Sequence, residues 1–239
     1  MAKLYVVGIG PGGSEHLTQK AREILEKCNT IVGYTYYIKL VEEYTKNKKV
    51  IQTGMTKEIE RCQAAIDEVR NGVDTCLIST GDPGLYGMAG PILEMAEDIA
   101  VEIVPGVSSV FAAAAEVGAP LMHDFCTISL SDLLTPWEVI EKRLAHAAEG
   151  DFVISLYNPK SRGRKLHIAK AITIIKQYVA PKTPVALVKN AGRPGNERKL
   201  VTLDTIDFDF IDMKTVVIIG NSQTFIKDEW MVTPRGYKI

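Results

Sequence analysis

Short apolar runs alternate along the first half of the chain with segments whose apolar residues recur at helical spacing. Each run is apolar nearly throughout and is ended by glycine or by a polar cluster, a pattern typical of a strand buried on both faces. Four such strands are predicted, at 3–9, 30–33, 73–80 and 101–106. The helical patterns between and after them cover 18–28, 57–72 and 107–118.

Two of these helical patterns define an apolar face. In 18–28, Thr18 is suited to cap the helix N-terminus, and the face comprises Ala21, Ile24, Leu25 and Cys28. In 57–72, which ends at Gly72, the predicted face comprises Ile59, Cys62, Ile66 and Val69.

The second half of the chain continues the alternation. Strands are predicted at 125–131, 151–157, 184–190, 198–203 and 214–221, and helices at 135–150 and 165–179. Several residues of the helix at 135–150 agree in predicting where this helix begins. Thr135 stands in the N-cap position, Pro136 in the first helical position, and Glu138 is placed to complete a capping box.

Strands that alternate with helices predict an α/β protein. A chain of 239 residues is long enough for two modest domains. The segment 119–125 is interpreted as a connection, so the predicted domains are 1–120 and 121–239.

Composition and charge narrow the classes of partner. The formal net charge is −1 and 46% of residues are hydrophobic, so no global field favours nucleic acid or a membrane surface. The four cysteines have no C-x-x-C spacing, and neither they nor the four histidines indicate a metal site. No secretory leader and no apolar run of membrane-spanning length is recognised. We therefore expect a cytoplasmic protein without a nucleic-acid partner, a membrane partner or a metal centre.

The first strand leads into Gly8, Gly10 and Gly13, which fit the G-x-G-x-x-G pattern of dinucleotide-binding enzymes. That pattern requires a helix directly after the glycines and a carboxylate at the end of the second strand. Here the helical pattern begins only near Thr18, and the second strand ends in "YTYY". A dinucleotide-dependent oxidoreductase stays the alternative from another class. The favoured interpretation is a tight glycine turn, whose lack of side chains lets another group come close.

Two further loops follow strands. "STGDPGLYGMAG" (79–90) brings four glycines and Asp82 to a strand end, and "VPGVSS" (104–109) adds two serines. Ligands of open α/β sheets bind at the carboxyl ends of strands, so we expect the three loops to converge there. For Asp82, attraction of a cationic ligand and capping of the next helix are equally supported.

These segments together resemble the tetrapyrrole (class III) methylase family, over nearly the whole chain. In the second half the resemblance is to the branch that methylates carbon 17 of precorrin-3B or of its cobalt form. The motifs that carry it are "VVGIGPGG", "GDPGLYGMAG", "VPGVSS", "SLSDLLTPWEVIEKRL", "SLYNPKSRGR", "VKNAGRPGNE" and "IIGNSQT".

The resemblance implies two α/β domains with the active site in the cleft between them, S-adenosylmethionine as methyl donor, and a homodimer. The first glycine turn would face a tetrapyrrole substrate, which brings any cobalt with it. The residues implied in donor binding are Pro11, Gly81, Asp82, Pro83, Tyr86, Ser108, Ser109, Tyr157, Asn158, Ala186 and Asn190.

The substrate would carry many carboxylates, which arginine forks and lysines bind well. The residues expected to bind it are Gly10, Gly12, Lys160, Arg162, Arg164 and Arg193. The charges alone leave two other interpretations of 158–165: a solvated basic turn, or a site that binds phosphate or RNA. The resemblance also implies contraction of the macrocycle, a step that requires polar or acid–base assistance, and Asp132 and Ser131 are the candidates for it. A methylase of another tetrapyrrole position is the alternative within the fold.

Overall fold

The chain forms two compact units in a computed structural model that describes residues 1–238. The first unit comprises Met1–Ser109 and the second begins at Val110. No helix within the described residues combines the length and apolarity needed to cross a membrane.

The first unit is built on a parallel sheet of five strands in the order β3-β2-β4-β1-β5. The strands are β1 (Lys3–Gly8), β2 (Thr30–Tyr34), β3 (Lys49–Thr53), β4 (Thr75–Ser79) and β5 (Ala100–Val104). Side chains of β1 alternate between the two faces of the sheet. Tyr5 and Val7 enter one apolar cluster and Leu4 and Val6 the other, which explains why the strand is apolar throughout.

Helices cover both faces of this sheet. They are α1 (Gln19–Lys27), α2 (Thr35–Leu40), α3 (Glu58–Arg70) and α4 (Ala89–Met95). Thr18 caps α1 as predicted, because its side chain accepts a hydrogen bond from the N–H of Ala21. Residues of α1 and α2 pack in one cluster, and residues of α3 and α4 in the other.

The second unit has a mixed sheet in the order β10-β9-β11-β8-β7. The strands are β7 (Phe125–Ser129), β8 (Val153–Tyr157), β9 (Pro184–Lys189), β10 (Glu197–Thr202) and β11 (Thr215–Ile219). β11 is antiparallel to β8 and to β9, and β7 is parallel to β8. The carboxyl ends of β7, β8 and β9 therefore share one edge of the sheet.

Three helices and a small sheet complete this unit. The helices are α5 (Ser109–Val117), α6 (Trp137–Glu149) and α7 (His167–Ile175), and the small sheet contains β6 (Gly118–Ala119), β12 (Phe225–Lys227) and β13 (Trp230–Val232). The α6 and α7 residues form one core cluster with the sheet, and α5 and Met231 belong to the other.

The units divide eleven residues before the predicted boundary at residue 120. Helix α5 follows this division, and its residues Ala112, Ala113 and Val117 pack with Val153 and Ala186 of the second sheet. The apolar pattern of α5 marks it as a helix but does not reveal which sheet it covers.

The predicted start of α6 is wrong. Pro136 has an extended backbone (φ −54°, ψ 141°) and is itself the N-cap residue, and no side chain caps the helix there. The Pro136 carbonyl accepts the first helical hydrogen bonds, from Val139 and Ile140. The expected Thr135 cap and capping box are therefore absent from this helix start.

Other helices and strands differ from the prediction in their bounds or were not predicted. Helix α7 spans 167–175 where 165–179 was predicted, since its end tightens into turns after Ile175. Strand β3, helices α2 and α4, and the β12–β13 hairpin were not predicted.

Candidate functional site

The three glycine-containing loops of the first unit meet, as predicted. β1 lies between β4 and β5, so the loops that follow these parallel strands leave the same edge of the sheet. Gly10 and Gly81 exchange two backbone hydrogen bonds, of 2.7 and 3.2 Å, and the hydroxyl of Thr80 donates a third to the Gly10 carbonyl at 3.2 Å. The first and second loops are thus joined through their main chains.

Close approach of main chains explains two of the glycines. A Cβ atom added to Gly106 would lie 2.2 Å from the Gly81 carbonyl oxygen, and one added to Gly8 would lie 2.6 Å from the Gly106 nitrogen. Neither position has room for a larger residue. Gly8 and Gly106 therefore let the loops pack closely against one another. Helix α1 begins only at Gln19, and not directly after the glycines. Both observations disfavour the dinucleotide interpretation.

Asp82 connects the second and third loops. Its Oδ1 accepts a hydrogen bond from the N–H of Gly84 at 2.8 Å, and its Oδ2 accepts one from the N–H of Gly106 at 3.0 Å. The helix-capping alternative is wrong, because α4 begins at Ala89 and no side chain caps it. Within residues 1–238, no cationic side chain lies within salt-bridge distance of this half-buried carboxylate.

The remaining candidates of the first unit surround these contacts. Gly81 (φ 66°) and Tyr86 (φ 56°) adopt left-handed backbone conformations, and Tyr86 is exposed. Ser108 is buried, and a Cβ added to Gly81 would lie 3.7 Å from the Cα of Ser108. The other candidates, all buried or half-buried, are Gly10, Pro11, Gly12, Pro83 and Ser109.

In the second unit, the loops after β7 and β8 are also joined. The amide of Asn158, at φ 51°, donates to the hydroxyl of Ser129 at 3.0 Å, and the N–H of Ser131 donates to the same hydroxyl at 3.2 Å. The Tyr157 hydroxyl accepts a hydrogen bond from the N–H of Val110, in the first turn of α5, at 2.9 Å. Candidates from two separate motifs thus lie in one hydrogen-bonded group.

Asp132 belongs to the same group of loops. Its Oδ2 lies 2.8 Å from Nε2 of His167, and its Oδ1 lies 3.8 Å from Nε of Arg164. The hydrogen bond from His167, assisted by the charge of Arg164, lowers the pKa of Asp132 below its ordinary value. Sequence reasoning missed His167, because its position in a helical pattern carries no signal of a partner 35 residues away.

Other predicted residues lie outside this group. Asn190 (φ 53°) and Arg193 lie in the loop after β9, where the amide of Asn190 donates to the Gly195 carbonyl at 3.1 Å. Lys160 donates to the carbonyl of Phe208 at 3.1 Å, and Arg162 is exposed. Lys160 and Asn190 thus each bind a carbonyl in a neighbouring part of the second unit.

Ala186 lies in a position that does not match its expected contact with the methyl donor. It has 0% exposed surface, because it packs in the apolar cluster with Ala113 of α5 and Val188 of its own strand. The structure gives a ligand no surface to touch at this position.

Metal-ligating residue types are dispersed. In the part of the chain that the structure describes, no three His, Cys, Asp or Glu side chains are grouped for an ion. The four cysteines are unpaired, and burial raises the pKa of the Cys62 and Cys126 thiols to about 11. These thiols stay protonated near neutral pH, as expected of core residues.

An α/β protein whose glycine-rich loops gather at the carboxyl ends of a parallel sheet belongs to the class that binds small molecules at strand ends. Residues 3–207 match the family described as Tetrapyrrole (Corrin/Porphyrin) Methylases. The chain belongs to this family.

Individual relatives extend over the whole chain. It is 51% identical to the "Probable cobalt-factor III C(17)-methyltransferase" of Salmonella typhimurium (strain LT2), over 99% of this chain and 100% of the relative. It is 39% identical to a "Precorrin-3B C(17)-methyltransferase" from Sinorhizobium sp, over 98% of this chain and 96% of the relative. Among solved structures, the "Crystal structure of the methyltransferase CobJ" matches with a TM-score of 0.94 and 32% identity, over 98% of this chain and 100% of that chain. The likeness to this methyltransferase confirms the predicted fold of two α/β domains.

Proposed function

We propose that the protein transfers a methyl group from S-adenosylmethionine to carbon 17 of a tetrapyrrole precursor of cobalamin, with contraction of the ring. The observation that carries this proposal is the 51% identity to the Salmonella relative over 99% of this chain and 100% of the relative. The cobalt-containing acceptor is favoured over metal-free precorrin-3B, because the relative named for the metal-free substrate is 39% identical.

The first unit fits a cationic donor. Asp82 is a half-buried carboxylate whose hydrogen-bond partners are neutral backbone N–H groups, so no side chain of residues 1–238 forms a salt bridge that balances its negative charge. Such a charge attracts a cation placed beside the loops. S-adenosylmethionine supplies, when bound, an electrophilic methyl group on a positively charged sulfur. We assign donor binding in this unit to Pro11, Gly81, Asp82, Pro83, Tyr86, Ser108 and Ser109.

The second unit contributes its own candidates. Tyr157, Asn158 and Asn190 lie at the carboxyl ends of β8 and β9, where donor contacts are proposed. Arg162 and Arg193, with Lys160, are the cations proposed for substrate carboxylates, alongside Gly10 and Gly12 of the first unit. Ser131 and Asp132 are proposed to face the reacting part of the tetrapyrrole.

Catalysis in this scheme depends on positioning. The chain holds the methyl-bearing sulfur and the nucleophilic carbon in line, and the carbon–carbon bond forms as the carbon–sulfur bond breaks. Orientation of two reactants can lower a barrier by about 7–11 kcal/mol. Loops fixed to one another through their main chains, as Gly10 and Gly81 are, suit this requirement because they reorganise little.

Two measurements test the proposal. Calorimetric titration with S-adenosylhomocysteine is expected to give micromolar binding, whereas NAD is expected to give none. Incubation with isotopically labelled S-adenosylmethionine and either cobalt-factor III or precorrin-3B is expected to give a methylated product from the cobalt substrate, read by mass. Binding of NAD alone, or transfer to neither tetrapyrrole, would overturn the proposal. Transfer only to precorrin-3B would reassign the substrate.

The family resemblance further supports a homodimer acting in the cytoplasm. Sedimentation equilibrium of the purified chain is expected to give twice the mass of 26.3 kDa. A single-chain mass at micromolar concentration would reject the dimer and leave the activity unaffected.

A further inference from the structure

Three side chains of the second unit form a connected group around Asp132. Nε2 of His167 lies 2.8 Å from Oδ2 of Asp132, and Nε of Arg164 lies 3.8 Å from Oδ1. The side chains of His167 and Arg164 are each 16% exposed, whereas that of Asp132 is 36% exposed. The carboxylate is therefore reachable, and the two groups that hold it are largely covered.

The surroundings of His167 fix which ring nitrogen carries the proton. Nε2 faces the carboxylate, which only accepts hydrogen bonds, so Nε2 is the donor. Nδ1 is buried and has no hydrogen-bond partner among the described residues. A proton on Nδ1 would be a buried donor without an acceptor. With a proton on Nε2, the ring donates its hydrogen bond to Asp132.

Trp137 fixes the orientation of the imidazole. The two rings meet edge to face, with centroids 4.7 Å apart and planes at 78°. Trp137 is itself held by a 2.7 Å hydrogen bond from its Nε1 to Glu141, one turn further along α6. His167 thus presents Nε2 to Asp132 from a packed position rather than from a free side chain.

Arg164 holds the loops on either side of Asp132. Its Nη1 donates to the carbonyl of Leu130 at 3.0 Å and to the carbonyl of Asn158 at 3.3 Å. The guanidinium therefore joins the loop after β7 to the loop after β8 and places a positive charge beside the carboxylate. These internal contacts differ from the sequence expectation that Arg164 binds a substrate carboxylate.

We infer that His167 and Arg164 are positioning residues that hold Asp132 ionised and in a fixed orientation, so that it accepts a hydrogen bond from an N–H or O–H group of the tetrapyrrole. The inference rests on the proposed function, which supplies the substrate. Leu133 and Leu134, which follow Asp132, are 74% and 93% exposed, so the carboxylate lies at the fixed base of an otherwise projecting loop.

Four variants test the inference through turnover. His167→Gln keeps an N–H donor at similar reach, His167→Leu removes it, Asp132→Asn removes the charge, and a double variant combines the last two. We expect His167→Leu and Asp132→Asn each to lower kcat by about tenfold or more, and the double variant to be no worse than Asp132→Asn, because residues that act as a unit are not additive. His167→Gln should retain kcat within about threefold of wild type. The control is His146→Leu, which changes an exposed histidine on α6.

A pH profile separates positioning from a merely structural role. Since His167 lowers the pKa of Asp132, its loss should raise that pKa and move the acid limb of kcat to higher pH. The Kd for S-adenosylhomocysteine should stay within about twofold of wild type in every variant. Full activity of Asp132→Asn, multiplied losses in the double variant, or an unmoved acid limb in His167→Leu would overturn the inference.

One readout does not depend on turnover. The ¹⁵N chemical shifts of the His167 ring, assigned by comparison with His167→Gln, should report a protonated Nε2. An Nε2 without a proton would contradict the positioning of Asp132 whatever the substrate. Absence of methyl transfer by the wild-type protein, with the expected tautomer present, would instead reject the proposed function.

Discussion

Oδ2 of Asp82 accepts a 3.0 Å hydrogen bond from the backbone N–H of Gly106, 24 residues further along the chain. The other oxygen of the same carboxylate binds the N–H of Gly84 within its own loop. One side chain therefore fixes the distance between the loops that follow β4 and β5. The shape of the proposed donor site depends on this carboxylate even before any ligand is bound.

Asp82→Asn should weaken both the fold and ligand binding. An asparagine side chain keeps one acceptor oxygen and turns an NH2 group towards a backbone N–H, so one of the two hydrogen bonds is lost. We expect the free energy of unfolding to fall by about 1–3 kcal/mol, measured by urea denaturation. The Kd for S-adenosylhomocysteine should rise in calorimetry. Asp98→Asn, at an exposed position before β5, serves as the control.

The two readouts of Asp82→Asn distinguish its roles. Weaker binding with unchanged stability would mean that the carboxylate acts on the ligand directly. The hydrogen bonds of Asp82 to the loops would then contribute little to the free energy of unfolding. Unchanged stability together with unchanged binding would contradict both roles.

Gly106→Ala should disrupt the junction of the three loops. The new Cβ would lie 2.2 Å from the Gly81 carbonyl oxygen and 2.8 Å from the carbonyl carbon of Gly8, so backbone must shift. Overpacking of this kind costs about 1–3 kcal/mol or more, and thermal unfolding should occur at lower temperature. Gly54→Ala is the matched control, since nothing lies within 4 Å of a Cβ at that exposed position. Equal stability of the two variants would show that the loops adapt to one another.

The sequence predicts the central strands and the convergence of the three loops because both follow from the pattern of apolar residues within short segments. A run such as β1 is apolar throughout only if both of its faces are covered, and parallel strands bring their following loops to one edge. The edge strand β3 has mostly exposed or half-buried residues, and it gives no comparable signal.

The face of α3 shows where pattern fails. Ile59 was placed on the buried face but is 63% exposed, whereas Arg61 is 4% exposed. The Arg61 guanidinium enters the interior because it donates 2.9 Å hydrogen bonds to the hydroxyl of Thr53 and to the carbonyl of Gly54. Both acceptors lie at the end of β3, the strand that was not predicted. Polar contacts between distant segments thus override a count of apolar positions.

The same limit applies to the candidate site. Asp132 was identified from its motif, but its partner His167 lies on α7, and the carbonyls that Arg164 binds follow β7 and β8. No spacing along the chain encodes these contacts.

Lys48→Met should destabilise the end of α1. The Lys48 ammonium donates to the carbonyls of Leu25, Glu26 and Cys28, at 2.7, 2.5 and 2.7 Å, and so satisfies acceptors that the helix leaves unpaired. A cation there also interacts favourably with the helix dipole. We expect a loss of about 1–2 kcal/mol in urea denaturation. Lys46→Met, at an exposed position two residues earlier, should change stability by less than about 0.5 kcal/mol. Equal effects would mean that the three carbonyls are satisfied as well by water.

Glu102 should make stability depend on pH in the acid range. Hydrogen bonds from Lys20 and Lys3, at 2.5 and 2.8 Å, lower the pKa of this carboxyl from 4.5 to about 2. The folded state therefore binds the proton less readily than the unfolded chain. The contribution to stability is complete above pH 4.5 and is lost as the pH falls towards 2.

Glu102→Gln removes this contribution. The variant should be less stable than wild type at about pH 7, by about 1 kcal/mol or less because exposed lysines are screened by solvent, and the difference should shrink at about pH 3. Urea denaturation at several pH values measures it, with Glu97→Gln, an exposed neighbour, as the control. Added salt should reduce the difference at neutral pH. A difference that stays constant from neutral to acid pH would mean that Glu102 contributes by packing and not through its charge.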